Sequence, residues 1–178
     1  LTTAFLIRGA GFSATDVGLV NKGFGLAATL IGAIAGGLWL MRLGLFRALL
    51  LFGILQAVTN LGFLALSLAG HNYPLMVLAV GLENLAGGMG TAAFVALLMG
   101  LCEVRYSATQ FALLSALASL GRVLLGPVAG GVVTWLDWPL FFLMTYLAAL
   151  PGLWWLYRLR PAVEAAHRAN HAPAGGES

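Results

Sequence analysis

Three ionisable residues stand out in this sequence because each lies inside a long apolar stretch. They are Lys22, Glu83 and Arg122. If these stretches cross a membrane, a charge at the bilayer centre costs at least about 2.5–3.5 kcal/mol, even on mild insertion scales. We therefore expect the three side chains to face a protein interior or a hydrated cavity. In such a cavity the cations could bind an anionic solute, and the carboxylate could take up and release a proton.

Two compatible interpretations of these charges remain open. Glu83 could form a structural ion pair with Arg122 or Lys22 that holds a helix bundle together. Alternatively, all three could line one polar cavity, since charges inside a membrane commonly mark transport pathways. Asn21 and Asn84 adjoin Lys22 and Glu83 and would extend such a cavity with hydrogen-bonding amides.

The remaining polar residues indicate no catalytic chemistry. Gln56 and Asn60 lie four residues apart on one helix face, a pattern typical of hydrogen bonding between membrane helices. His167 and His171 could share a metal ion on a helix, but no carboxylate or thiol completes that set. The single cysteine, Cys102, excludes an internal disulfide. We expect no cofactor, no metal site and no enzymatic activity.

The composition indicates a membrane protein. Of the 178 residues, 61% are hydrophobic and only 8% are charged, whereas soluble domains carry about 25% charged residues. The mean hydropathy is +0.96. These values exclude a soluble enzyme, a disordered linker and a nucleic-acid-binding module. The nine Lys and Arg residues are also too scattered to indicate a nucleic-acid partner.

Five stretches are apolar and long enough to cross a bilayer, which takes about 20 helical residues. They cover residues 17–41, 48–69, 75–101, 111–136 and 139–157, and residues 1–8 resemble the end of a further, truncated helix. The pattern predicts an all-α polytopic membrane protein, with a transmembrane bundle over residues 1–160. Residues 161–178 are polar and rich in Ala, Gly and Pro, which predicts a disordered tail.

The placement of arginines predicts the orientation in the membrane. Links on one side of the bundle contain Arg42, Arg47 and Arg105, whereas links on the other side have only Arg8 at their margin. The positive-inside rule therefore places the arginine-rich side and the C-terminal tail in the cytoplasm. All five tryptophans fall near the ends of the predicted spans, as expected of residues at the membrane–water interface.

Small residues at four-residue spacing predict close contact between helices. Such pairs are Gly32 with Gly36, Gly87 with Thr91, and Gly126 with Gly130. Pro127 follows Gly126 inside a predicted span, where it removes a backbone donor and loosens the helix.

Two short motifs resemble those of the major facilitator superfamily. The first contains Gly37, Arg42, Gly44 and Arg47, although Met41 replaces the usual aspartate and makes this copy a degenerate one. In that superfamily the motif joins two helices on the cytoplasmic side and gates the cavity, which implies a gating role for these residues. The second motif, over residues 126–131, resembles the glycine-proline motif of the superfamily. It implies that the helix flexes at Gly126, Pro127 and Gly130.

Longer runs resemble one family within that superfamily, the anhydromuropeptide permeases or AmpG family. They are VGLVNKGFGL, RLGLFRALLLFGILQAVTNLGF, ENLAGGMGTAAFVALLMGLC and YSATQFALLSALASLGRVLLGPVAGG. The resemblance extends to about Arg160 and implies the C-terminal six-helix half of a twelve-helix transporter. Because the chain begins at Leu1 without a Met or a signal peptide, we expect the N-terminal half to be missing from this sequence.

The resemblance implies import of N-acetylglucosaminyl-1,6-anhydro-N-acetylmuramyl peptides across the bacterial inner membrane. Such import depends on the proton gradient and serves peptidoglycan recycling, and the products feed β-lactamase induction in some bacteria. Lys22, Glu83 and Arg122 would lie on helices that line the cavity in this superfamily. Lys22 and Arg122 would bind carboxylates of the peptide, Asn21 and Asn84 would bind sugar or amide groups, and Glu83 would be the proton-coupling group.

Two alternatives remain open. A related permease of the same superfamily could carry another solute, such as a sugar, a drug or an acyl-CoA. A non-transporting membrane scaffold would instead pair its buried charges fully with each other and leave no hydrated cavity. For the permease, the expected partners are the muropeptide substrate, protons, the lipid bilayer and the N-terminal six-helix half that is missing from this sequence, with no nucleic acid.

Overall fold

The computed structural model describes residues 2–102, 107–135, 137–161 and 163–164. Within these ranges, the side chains are described at every position except 107, 121–122, 125–129 and 132–135. Every regular element within these residues is helical. The predicted all-α class is therefore confirmed, and several of the helices have the length and composition of membrane spans.

The helices follow one another with very short connections. In chain order they are α1 (Thr2–Arg8), α2 (Ala14–Leu19), a π-helical segment (Val20–Gly25), α3 (Leu26–Leu43), α4 (Leu45–Ala69), α5 (Tyr73–Leu101), α6 (Ser107–Trp135) and α7 (Trp138–Arg158). The π-helical segment joins α2 to α3, so Ala14–Leu43 is one continuous helix of 30 residues. A bilayer core about 30 Å thick requires about 20 residues at 1.5 Å each. Ala14–Leu43, α4, α5 and α7 all meet this requirement and are apolar enough to span a membrane.

The connection between α3 and α4 is shorter than the sequence predicted. Residues 42–47 were expected to form a loop, but only Gly44 lies outside a helix. Its φ of 77° lets the chain turn sharply at one residue, in a region of backbone space that other residues rarely adopt. As a result Arg42 lies in the last turn of α3, and Arg47 lies in the first turn of α4.

Glycines allow α3 and α5 to pack with their backbones in contact. A Cβ atom added at Gly36 would lie 2.6 Å from the Cα atom of Met89, and one added at Gly32 would overlap the carbonyl oxygen of Leu85. On the opposite helix, a Cβ atom at Gly88 would overlap the carbonyl oxygen of Thr29. The predicted close packing at the Gly32–Gly36 pair is therefore confirmed. The Gly87–Thr91 pair instead lies along a polar cleft described below.

An aromatic cluster fixes α1 against the bundle. The ring of Phe5 lies 4.8 Å from that of Phe142 on α7 and 6.5 Å from that of Phe63 on α4, measured between centroids. Phe5 and Phe63 are almost fully buried. Because α1 has only seven residues, these contacts determine where its first two threonines lie.

The first residues of the predicted tail, which starts at residue 161, include one that packs against the bundle. Helical structure is present at residues 160–161 and 163–164, and the side chain of Val163 is buried against Leu45 and Phe46. The apolar valine side chain makes this contact favourable, although the tail as a whole is polar. The remainder of the predicted tail, residues 165–178, lies outside the described residues.

Candidate functional site

Polar side chains from five elements gather around one cleft of about 390 Å³. The sequence analysis had singled out three of its lining residues, Asn21, Glu83 and Asn84, as parts of a cavity. Its other lining residues are Thr2, Thr3, Thr29, Gln56, Gly87 and Thr91. These residues come from α1, the π-helical segment, α3, α4 and α5. Apart from Gly87, every residue in the described lining carries a polar side chain, in a chain that is 61% hydrophobic.

Glu83 supplies the one carboxylate of the described lining. Its side chain is half-buried, and its Oε1 atom accepts a hydrogen bond of 3.2 Å from the hydroxyl of Thr2. Among the residues that the structure describes, no Lys or Arg nitrogen lies within 4.0 Å of this carboxylate. The predicted ion pair between Glu83 and Lys22 is therefore not formed in this structure. Glu83 instead links the start of α1 to the middle of α5.

Asn84 is held between α5 and α3. Its Nδ2 atom donates to the carbonyl oxygen of Val80 at 2.8 Å. The hydroxyl of Thr29 lies 3.1 Å from Asn84 Oδ1 and 2.9 Å from the carbonyl oxygen of Gly25, so its single hydrogen is shared between two acceptors. A Cβ atom at Gly25 would lie only 3.0 Å from Asn84 Nδ2. The orientation of the Asn84 amide is thus fixed before any ligand arrives.

Asn21 lies in the π-helical segment, where its Nδ2 atom donates to the carbonyl oxygen of Val17 at 3.1 Å. Its neighbour Lys22 is exposed and does not line the cleft. Successive residues of a helix point in different directions around its axis, so the neighbour of a cleft residue need not face the cleft. Lys22 and Glu83, which were expected to share one cavity, therefore do not both line this cleft. Short π-helical segments within α-helices are frequent at functional sites.

The sequence analysis missed the glutamine and the threonines of the cleft. Gln56 was interpreted as a contact between helices, yet it lines the cleft. Its Oε1 atom would make ordinary van der Waals contact, at 3.6 Å, with a Cβ atom at Gly87, so the amide lies directly beside this glycine. The sequence did contain one indication that Thr91 lies beside Glu83. Glu83, Gly87 and Thr91 recur at four-residue spacing, which places them on one face of α5.

The other predicted site residues lie away from this cleft or outside the described side chains. Arg122, Gly126 and Pro127 lie in α6, but their side chains are outside the description. Gly130 and Gly37 both have open space where a Cβ atom would be. In chemical terms the described lining offers hydroxyl, amide and carboxylate groups, which suit a solute rich in hydroxyl and amide groups. Among the described residues, no group of three or more His, Cys, Asp or Glu side chains could hold a metal ion.

Comparison with known proteins gives consistent results. The model of one family, the Major Facilitator Superfamily, matches residues 1–175. The Anhydromuropeptide permease of Escherichia coli (strain K12) is 56% identical over 164 residues, which are 92% of this chain and 33% of that protein. A Rickettsia conorii protein whose name includes "transporter AmpG 4" is 37% identical over 153 residues, which are 86% of this chain and 37% of that protein. The chain thus spans about a third of the length of the curated relatives it matches.

Proposed function

Since this chain belongs to the Major Facilitator Superfamily, we propose that it forms part of a permease that imports anhydromuropeptides. The observation that carries this proposal is the 56% identity to the Escherichia coli Anhydromuropeptide permease over 92% of the chain. The substrate would be N-acetylglucosaminyl-1,6-anhydro-N-acetylmuramyl peptide, taken from the periplasm to the cytoplasm for peptidoglycan recycling. The permease would span the bacterial inner membrane several times, with the C-terminus in the cytoplasm, and it would transport its substrate without altering it chemically.

The lining of the cleft supports a solute of this kind. A sugar hydroxyl or peptide amide that leaves water costs about 1–3 kcal/mol unless it finds a hydrogen-bond partner. Asn21, Gln56 and Asn84 carry amides that can donate and accept, and Thr29 adds a hydroxyl. Asn84 is oriented in advance by Val80 and Thr29. Asn21 and Asn84 are therefore proposed to bind sugar or amide groups of the substrate.

Lys22 and Arg122 are proposed to bind carboxylates of the peptide. Lys22 directly follows the cleft residue Asn21, and a lysine side chain carries its ammonium on a flexible four-carbon stem. Because Lys22 is exposed and outside the lining, the π-helical segment (Val20–Gly25) would have to rotate to bring that ammonium to the cleft. Because only about a third of the relatives' length is present here, an N-terminal half is proposed to complete the cavity.

Glu83 is proposed as the group that couples uptake to protons. It is half-buried, it lines the cleft, and its described hydrogen-bond partner is the neutral hydroxyl of Thr2. A carboxylate in this position can be protonated without breaking an ion pair to any described residue. Protonation would alter the link between α1 and α5, which are proposed to move relative to each other as access alternates between the two sides.

Gating on the cytoplasmic side is assigned to the turn between α3 and α4. Gly37, Arg42, Gly44 and Arg47 are proposed to form this gate. The sharp turn at Gly44 holds both helix ends together, so the two arginines would move as one unit. Flexing of α6 is proposed at the residues of its glycine-proline motif, Gly126, Pro127 and Gly130.

Uptake of labelled anhydromuropeptide by right-side-out vesicles that contain the full-length permease tests this function. We expect accumulation that an uncoupler abolishes. The replacements Gln56→Ala and Asn60→Ala form a matched pair on α4, because Gln56 lines the cleft and Asn60 does not. Only the first should weaken uptake. If the vesicles transported a sugar, a drug or an acyl-CoA but did not accumulate anhydromuropeptide, the proposed substrate would be wrong.

A further inference from the structure

A second pocket of about 180 Å³ lies at the turn between α3 and α4, apart from the polar cleft. Gly44 and the first turn of α4 form one wall, and Arg160 and Glu164 from the segment after α7 form another. Arg47 projects from that first turn and also lines the pocket. Two guanidinium groups and one carboxylate thus surround a small concave space at one end of the bundle.

Arg160 makes two contacts beside this pocket. Its guanidinium carbon lies 5.4 Å from the centre of the Phe46 ring, and its Nε atom donates to Glu164 Oε1 at 2.7 Å. Burial of Val163 against Phe46 anchors the same segment. A guanidinium carries five N–H donors, and only Nε is used in the hydrogen bond to Glu164. The Nη groups are donors that a second acceptor in the pocket could engage in a bidentate pair.

The start of α4 has an unfavourable charge distribution when the pocket is empty. The N-terminus of a helix carries a partial positive charge, which acidic residues or anions stabilise. This helix of 25 residues has no acidic residue in its first turn and no side-chain cap at Gly44. Instead, Arg47 adds a positive charge in that same turn. An anion in the pocket would balance the helix terminus and both arginines together.

We propose that this pocket binds the phosphate of an anionic phospholipid headgroup. Three large aromatic side chains near the end of α7, Trp154, Trp155 and Tyr157, are exposed there. Exposed aromatic residues of this kind occupy the headgroup level of a bilayer. Basic pockets at helix ends on the cytoplasmic side are a recognised environment for anionic headgroups. With this end of the bundle on the cytoplasmic side, as proposed above, the pocket would face lipid phosphates at high local concentration.

The test measures lipid binding to the purified full-length protein in a neutral detergent. Phosphatidylglycerol and phosphatidylcholine are titrated separately, bound lipid is counted by native mass spectrometry, and the thermal unfolding midpoint is recorded. We expect phosphatidylglycerol to bind at least tenfold more tightly than phosphatidylcholine and to raise the midpoint. Arg47→Gln should reduce that preference, and the double replacement of Arg47 and Arg160 by glutamine should remove it.

Two controls distinguish the pocket from general attraction to positive charge. Arg158→Gln removes a charge from the same end of the bundle, but its guanidinium lies over Trp154 and does not line the pocket. It should keep the full preference for phosphatidylglycerol, and equal loss in this variant would overturn the proposal. Soluble glycerol phosphate should bind much more weakly than the lipid, and an equal midpoint shift would indicate a site for free anions. Arg47→Gln alters an exposed side chain, so the test does not depend on the fold tolerating the double replacement.

Discussion

Replacing Gly88 with alanine tests the packing that positions the cleft. An added Cβ atom would lie 2.9 Å from the backbone nitrogen of Ala33 and would overlap the carbonyl oxygen of Thr29. Both obstacles are backbone atoms, which cannot rotate away as a side chain could. Ordinary contact at such a position begins near 3.4 Å. We therefore expect α3 and α5 to separate by about 1 Å, a strain that typically costs about 1–3 kcal/mol.

That separation would also reach the cleft. The hydroxyl of Thr29 lies 3.1 Å from Asn84 Oδ1, and a further ~1 Å would exceed hydrogen-bonding distance. Loss of this hydrogen bond lowers the free energy of unfolding by about 1 kcal/mol more. The better helix propensity of alanine raises it by about the same amount. The net expectation is a loss of about 1–3 kcal/mol in the free energy of unfolding.

Gly90→Ala on the same helix is the matched control. No atom lies within 4 Å of a Cβ atom at Gly90, so alanine should stabilise this variant by about 0.5–1 kcal/mol. The assay is unfolding of the purified protein in mixed micelles, followed by tryptophan fluorescence. If Gly88→Ala proved as stable as Gly90→Ala, the inferred backbone contact between α3 and α5 would be wrong.

Three further predictions concern the remaining proposals. Glu83→Gln keeps an oxygen that can accept a hydrogen bond from Thr2, so the protein should fold. Its uptake should no longer respond to an uncoupler, and an unchanged response would exclude Glu83 as the coupling group. Gly44→Ala places a Cβ atom at φ 77° and ψ 160°, a backbone region almost restricted to glycine, and should lower the free energy of unfolding by about 1–3 kcal/mol. An unchanged value would show that the turn adapts. Arg122→Leu should abolish uptake while membrane insertion, measured by fractionation, remains normal; normal uptake would remove Arg122 from the mechanism.

Hydropathy was sufficient to predict the fold class, because membrane spans need long apolar helices and the sequence has few charges. The ends of the spans were less predictable. The turn at Gly44 depends on one positive φ value, which hydropathy does not encode. The helical segment that follows α7 depends on the burial of a single residue, Val163, and composition alone indicated only a polar tail.

The cleft was predicted in part. Of the two pairs Asn21–Lys22 and Glu83–Asn84, three residues line the cleft, whereas their roles in binding and coupling stay predictions. Depth along a helix could be calculated from the sequence, but the direction of each side chain around the helix axis could not. The direction depends on the π-helical turn at Val20–Gly25 and on the glycine contacts between α3 and α5. Lys22 was therefore grouped with Glu83 although it lies outside the lining.

The most direct measurement of the central claim is substrate protection of a cysteine placed at position 56. In a Cys102→Ala background, the replacements Gln56→Cys and Asn60→Cys are each treated with a water-soluble maleimide in vesicles that contain the full-length permease. Gln56 lines the cleft and Asn60, one turn away on α4, does not. The account predicts that Gln56→Cys is labelled, that anhydromuropeptide slows this labelling, and that Asn60→Cys shows no such protection. Labelling of Gln56→Cys that is absent, or that is unaffected by saturating anhydromuropeptide, would contradict the claim that this polar cleft is part of the transport pathway.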